Sequence, residues 1–207
     1  MNNIKTIASA INNRTAHAVL GIVSSVDPVN HAIKVKIQPD NVETGWLPDA
    51  GITKAGTLRI ASPADLGMHV VLLPIEGDGE HYVVIGSVFD TVIMPPVSPM
   101  SGKVAQPGEW LLQAGCQNAV FGSQHKKEKT SLKSGWCHVG DEGIALGAGN
   151  SVLHIKDNTI TFKVGHILAE LTADGLTVTG GDIKNDQHSL NNHIHTVNNR
   201  ETSQPIG

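Results

Sequence analysis

The 207-residue chain contains 22 Gly, 10 Pro and only 3% aromatic residues, which favours an extended, water-exposed β protein over an ordinary enzyme with a monomeric core. Its formal net charge of −4 provides no basic excess for nucleic-acid binding. Cys116 and Cys137 form neither a disulfide framework nor a Cys-x-x-Cys spacing, and no apolar stretch is long enough to span a bilayer.

The first predicted element is a short amphipathic helix within residues 1–17, where Ile4, Ile7, Ala8 and Ile11 fall at helical spacing. A helix of this length is not stable alone, so we expect it to dock on a partner or on other copies of the chain. A lysine interrupts the stretch, which therefore lacks the apolar core of a signal peptide. Synthesis and assembly in the cytoplasm are expected.

Residues 18–94 change to the alternating pattern of β-strands, with turn residues such as Asp27-Pro28-Val29-Asn30 between the runs. The strand-like runs are residues 19–26, 32–37, 57–60, 68–74 and 82–88. So many strands in so short a stretch suggest a small barrel, for which an OB-fold is the natural candidate. The sequence does not determine the strand order.

A proline-rich segment at residues 94–99 marks the predicted domain boundary, because its prolines remove hydrogen-bond donors and stiffen the backbone. Residues 95–182 follow as short strands with Gly or Asx turns. The first of these predicted strands are residues 109–113, 119–122, 130–133, 137–139 and 144–147.

The alternation is clearest in residues 152–164, where apolar and polar residues alternate on both sides of an Asp157-Asn158 turn. Residues 172–178 repeat the scheme. Each such unit has one apolar face and too little surface to bury it alone, so it needs neighbours. A β-helix intertwined from three chains would supply them.

The last stretch, residues 183–207, contains His193-Ile194-His195. In extended backbone, residues i and i+2 project from the same face, so both imidazoles can bind one metal ion. Three copies around an axis would offer six imidazoles, which suits an octahedral first-row ion such as Fe(II) better than tetrahedral zinc. We predict His193 and His195 as the metal ligands of a trimeric apex. Further ions on the three-fold axis stay open, and a solvent-exposed polar tail is the alternative.

The residues around this motif also allow predictions. His188 falls on the opposite face by parity if the backbone stays extended, and is left out of the predicted site. Ile183 and Leu190 are expected to pack in the apex core. The polar residues 196–207 must either fold back along the apex or be disordered.

Several stretches of the sequence resemble those of a known family: GIVSSVDP (21–28), KVKI (34–37), GWLP (45–48), ADLGMHVVL (64–72) and VVIGSVFD (83–90). Together they resemble the OB domain of phage baseplate assembly protein V, which is shared with the spike proteins of type VI secretion systems. The glycine-rich β repeats that end in His-x-His resemble the central spike of Mu-like contractile-tailed phages.

This resemblance implies a homotrimer in the virion, at the tip of the tail baseplate. Its OB domains would sit under the tail hub and continue into a tapering, intertwined β-helix that pierces the host outer membrane when the sheath contracts. In that family the paired histidines of three chains bind one iron ion, and the matching positions are His193 and His195. The expected role is mechanical and not enzymatic.

Other functions are weaker interpretations. No third histidine or acidic ligand follows the His-x-His at close spacing, and the chain lacks a nucleophile elbow and a phosphate loop. A tip or adaptor spike of a contractile secretion system or tailocin is the first alternative. A glycan-binding β-helix adhesin is the last, because the β region offers few aromatic residues for stacking.

Overall fold

The computed structural model describes residues 4–5, 17–49, 54–55, 57–76, 81–116, 133–186 and 188–204. The strands in these ranges pair antiparallel throughout, and the predicted all-β class is confirmed. Of residues 1–17, which contain the predicted N-terminal helix, Ile4, Lys5 and His17 lie within the described residues, and Ile4 and Lys5 have helical backbone. Across those same ranges, no helix has the length and apolarity needed to cross a membrane.

The described residues up to Pro95 form one compact unit, and those from Pro96 form another. The strands of the N-terminal unit are β1 (Val19–Asp27), β2 (Ala32–Ile37), β3 (Val42–Glu43), β4 (Leu47–Pro48), β5 (Lys54–Ala55), β6 (Leu58–Arg59), β7 (His69–Pro74) and β8 (Tyr82–Ser87). The main sheet runs β3-β2-β1-β7-β8, with β4 also paired to β2. Strands β5 and β6 form a separate hairpin.

One face of the main sheet is covered and forms a hydrophobic core. Ile33, Val35 and Leu72 are fully buried there, and strands β1, β7 and β8 add further buried valines. Gly21 lies where β1 passes closest to this core, since a Cβ atom there would come within 2.3 Å of Val35 Cγ1. Only glycine allows this approach without displacing Val35.

The C-terminal unit contains β9 (Trp110–Gln113), β10 (Gly135–Gly140), β11 (Gly143–Ala148), β12 (Ser151–Lys156), β13 (Thr159–Val164), β14 (Ile167–Thr172), β15 (Gly175–Thr179), β16 (Thr196–Val197) and β17 (Arg200–Glu201). Strands β9 to β15 form one seven-stranded sheet in chain order, and β16 pairs with β17. Within the seven-stranded sheet, each strand up to β14 therefore pairs with the strand that follows it along the chain.

The predicted hairpin in residues 152–164 is confirmed, because Lys156 pairs with Thr159 across the turn. Asn158 adopts a positive φ of 59° in that turn, a conformation that asparagine tolerates better than most residues. The predicted strand at 119–122 and most of that at 130–133 lie outside the described residues. The OB-fold and the three-chain β-helix stay predictions.

Candidate metal site and uncovered sheet face

The structure brings the imidazole rings of His193 and His195 together. Their ring centroids are 5.0 Å apart and the rings are perpendicular. The centre of an imidazole lies about 3 Å from a metal ion held at about 2.1 Å by one ring nitrogen. Two such radii exceed 5.0 Å, so the separation of the two rings is compatible with one shared ion.

The ring of His193 is oriented by the chain that precedes it. Its Nδ1 lies 2.9 Å from the carbonyl oxygen of Leu190 and 3.2 Å from that of Ser189. A carbonyl oxygen only accepts hydrogen bonds, so Nδ1 carries the proton, and Nε2 of the neutral ring keeps its lone pair. Metal-binding histidines in proteins are commonly oriented by such a bond.

His195 is tied to the terminal hairpin of β16 and β17. Its backbone N–H donates to Thr202 Oγ1 at 3.0 Å, and the N–H of Thr202 donates to its carbonyl oxygen at 2.8 Å. Asn198 and Asn199 turn the hairpin with φ values of 52° and 59°. Residues 196–204 of the polar tail fold back as this hairpin, and residues 205–207 lie outside the described residues.

Asp182 organises the loop that leads to the histidines. Its carboxylate accepts hydrogen bonds from the Ser189 hydroxyl and, at 3.1 Å, from the backbone N–H of Asn191. The Ser189 hydroxyl is the main reason that the pKa of Asp182 lies below its usual value. A charged carboxylate therefore closes this loop at neutral pH and fixes the turn from which His193 projects.

A surface pocket of about 470 Å³ lies beside the two imidazoles. Ile183 and Leu190, expected in the apex core, line this pocket in the single chain, and they are 46% and 55% exposed. His188, which the parity argument leaves out of the predicted metal ligands, also lines this pocket. That argument required extended backbone, whereas the chain turns at residues 190–192.

The donor set is incomplete in one chain. In the described ranges, no three or more His, Cys, Asp or Glu side chains are grouped to hold a metal. Two adjacent imidazoles, one of them with Nε2 available, are suitable ligands for a first-row ion. The arrangement fits such an ion only as a partial site, and a closed site requires ligands from elsewhere.

The seven-stranded sheet has one apolar face, which the single chain leaves uncovered. Directly paired residues project to the same side, so the register defines the face, for example through Leu146, Leu153 and Phe162. Within β9 to β15, the exposed large hydrophobic residues all lie on this apolar face: Trp110, Leu112, Val139, Ile144, Leu146, Ile155, Phe162, Val164, Ile167, Leu171 and Leu176.

The opposite face, here called the polar face, differs sharply in composition. One row across six adjacent strands consists of His138, Ala145, His154, Thr161, Glu170 and Thr177. The polar face is covered only at β10 and β11, where Trp136, His138 and Ala145 are buried, whereas the large hydrophobic residues of the apolar face stay exposed. Comparison with protein families and with curated proteins finds no match to the chain.

Proposed function

We propose that this chain is the central membrane-piercing spike of a contractile phage tail, acting as a homotrimer with an iron-stabilised tip. The observation that carries the proposal is the exposed apolar face of β9 to β15. Seven strands at about 4.8 Å spacing, each about 20 Å long, give this face a projected area of roughly 600 Å². That is at the upper limit of the apolar patches that soluble monomers expose.

Further copies of the same chain are the simplest cover for this face. Packing apolar faces together around an axis turns three single layers into one closed core and leaves the polar faces in water. Two sheets face to face would also bury the apolar side chains. The resemblance to phage spikes and the two-imidazole apex favour three, because three chains supply six imidazoles.

At the apex, His193 and His195 of each chain would hold the iron ion. The ion supplies up to six metal–imidazole bonds that join three chain ends where the sheet has stopped. The Leu190 carbonyl orients the His193 ring, and the terminal hairpin fixes the backbone of His195. Ile183, Leu190 and Ile194 would then be covered by the other chains.

The mechanical role follows from this construction. Contraction of a tail sheath supplies the force, and a narrow, rigid tip concentrates it on the host outer membrane. The tail hub and baseplate are the proposed partners of the N-terminal unit. A tailocin or a contractile secretion system would use the same part, with the apex then serving as an adaptor.

A glycan-binding adhesin is less consistent with the placement of the aromatic side chains. Trp110 and Phe162 lie on the apolar face, where other chains would cover them, and Trp136 is only 8% exposed. The seven strands therefore present no exposed aromatic ring on the polar face for stacking against a sugar.

Immunogold electron microscopy of particles from the source cells tests the function. Antibody against the purified chain should label the baseplate tip of contractile particles, and antibody pre-absorbed with the chain should not. Label on particles with capsids indicates a phage, and label on headless particles indicates a tailocin. Label on fibres, on capsids or on no contractile structure would contradict the proposal.

A further inference from the structure

His138 on the polar face is a buried imidazole whose Nε2 lacks a well-formed hydrogen bond. The residue is 9% exposed, and its side chain projects from the centre of β10. Its Nδ1 lies 2.9 Å from Oγ of Ser98, which is fully buried. Its Nε2 is also buried and has no hydrogen-bond partner. A buried polar atom of this kind needs a ligand or an explanation.

Glu109 places a second ligand atom beside this nitrogen. Its Oε2 lies 3.4 Å from His138 Nε2, a polar contact that is longer than a normal hydrogen bond. The backbone N–H of Gln106 donates to the same carboxylate at 2.8 Å and fixes its position. Two ligand atoms at about 2.1 Å from a zinc-type ion, at a tetrahedral angle, are about 3.4 Å apart. The observed spacing matches that value.

Both residues line a pocket of about 500 Å³ on the polar face. His154 lines it too, one strand beyond Ala145 in the same cross-strand row, and so does Glu142 in the β10–β11 turn. Burial, followed by the nearby Lys156, lowers the pKa of His154. A neutral imidazole is the form that binds metals.

We propose that this pocket binds a zinc-type first-row metal ion through His138 Nε2 and Glu109 Oε2, with His154 as the third protein ligand. The described residues contain no preassembled group of three ligands, so His154 must move toward the other two when the ion binds. Ser98 orients the His138 ring, as supporting hydrogen bonds do in other metal sites. Lys103 also lines the pocket, and its ammonium must point away from the ion. The proposal does not depend on the apex or on the trimer.

Cobalt(II) is a suitable probe, because a tetrahedral cobalt site absorbs visible light far more strongly than an octahedral one. The full chain carrying His193→Ala and His195→Ala removes the apex ligands from the measurement. We expect this background variant to bind one Co²⁺ per chain, counted by native mass spectrometry, with a tetrahedral visible spectrum.

Glu109→Gln in that background is the decisive variant, because the amide oxygen still accepts the Gln106 N–H while the charged ligand is lost. We expect the Co²⁺ affinity to fall by at least about tenfold, and His138→Gln should lower the affinity similarly.

Glu170→Gln, on the same polar face but outside the pocket, is the matched control and should bind Co²⁺ as tightly as the background variant does. Absence of Co²⁺ binding in the background variant would overturn the proposal. Equal binding by the Glu109→Gln and Glu170→Gln variants would overturn it as well.

Discussion

The two main sheets of the molecule differ in how far their apolar side chains are buried. The N-terminal sheet turns one face onto its own core, with Ile33, Val35 and Leu72 fully buried. The C-terminal sheet presents a complete apolar face that remains exposed in one chain, with Phe162 at 51% and Val164 at 61%. Because burial of apolar surface is the main driving force of folding, only the first sheet is self-sufficient. The apolar face of the second sheet is left exposed by one chain, and the proposal is that other copies of the chain cover it.

The largest effect should come from placing a charge on the apolar face. Phe162→Asp would bury an unpaired carboxylate at the proposed interface, so we expect the trimer to be lost while the N-terminal unit stays folded. Size-exclusion chromatography with light scattering measures the assembly. Thr161→Asp, the next residue and on the polar face, is the control and should stay trimeric. Dissociation of both variants, or of neither, would contradict the assigned faces.

A core truncation in the N-terminal unit should have a large effect confined to that unit. Leu72→Ala removes a fully buried side chain from strand β7 and should lower its free energy of unfolding by about 2–5 kcal/mol. Urea denaturation checks this. Leu73→Ala, at a neighbouring position that is 45% exposed, should cost much less. Similar losses in the two variants would mean that the outer face of this sheet is also covered.

These two contrasts show what the sequence could predict. Alternation across the Asp157-Asn158 turn is a local pattern, so the β12–β13 hairpin followed from it. The position of His188 beside the pocket did not follow from the sequence, because parity holds only for extended backbone and the chain turns at residues 190–192. Its exclusion as a metal ligand stays a prediction. The Ser98–His138 contact joins residues 40 positions apart, and no local pattern predicts such a contact. The trimer and the iron stay predictions, since one chain contains neither.

Loss of an apex ligand should have a smaller structural effect than loss of the interface. We expect His195→Ala to leave the trimer folded, because the apolar face is unchanged. The metal affinity should fall by more than the roughly 10–100-fold typical of losing a supporting hydrogen bond. Iron content measures the loss of metal binding, and hydrogen exchange of residues 183–204 measures the loosening of the apex.

The control is His166→Ala, which removes an exposed histidine elsewhere in the unit and should change neither quantity. Retention of iron in His195→Ala would exclude His195 as a ligand.

The smallest effect concerns the pH dependence of the N-terminal unit. The backbone N–H groups of Ile93 and Val92, and then His69, lower the pKa of Asp90 from 3.8 to about 2. A carboxylate with a depressed pKa stabilises the folded state above its usual pKa, and this contribution is lost as the pH falls through the folded value. The stability difference between wild type and Asp90→Asn should therefore shrink between pH 4 and about pH 2. A difference that stays constant over this window would show that Asp90 does not act through its charge.

Native mass spectrometry of the purified full-length protein tests the central claim most directly, because it reports the number of chains and the bound metal together. The account predicts a trimer of 21.8 kDa chains that carries one iron at the apex, and loss of that iron in the His193→Ala variant without loss of the trimer. A monomer without iron would contradict both the covered sheet face and the metal-bound apex.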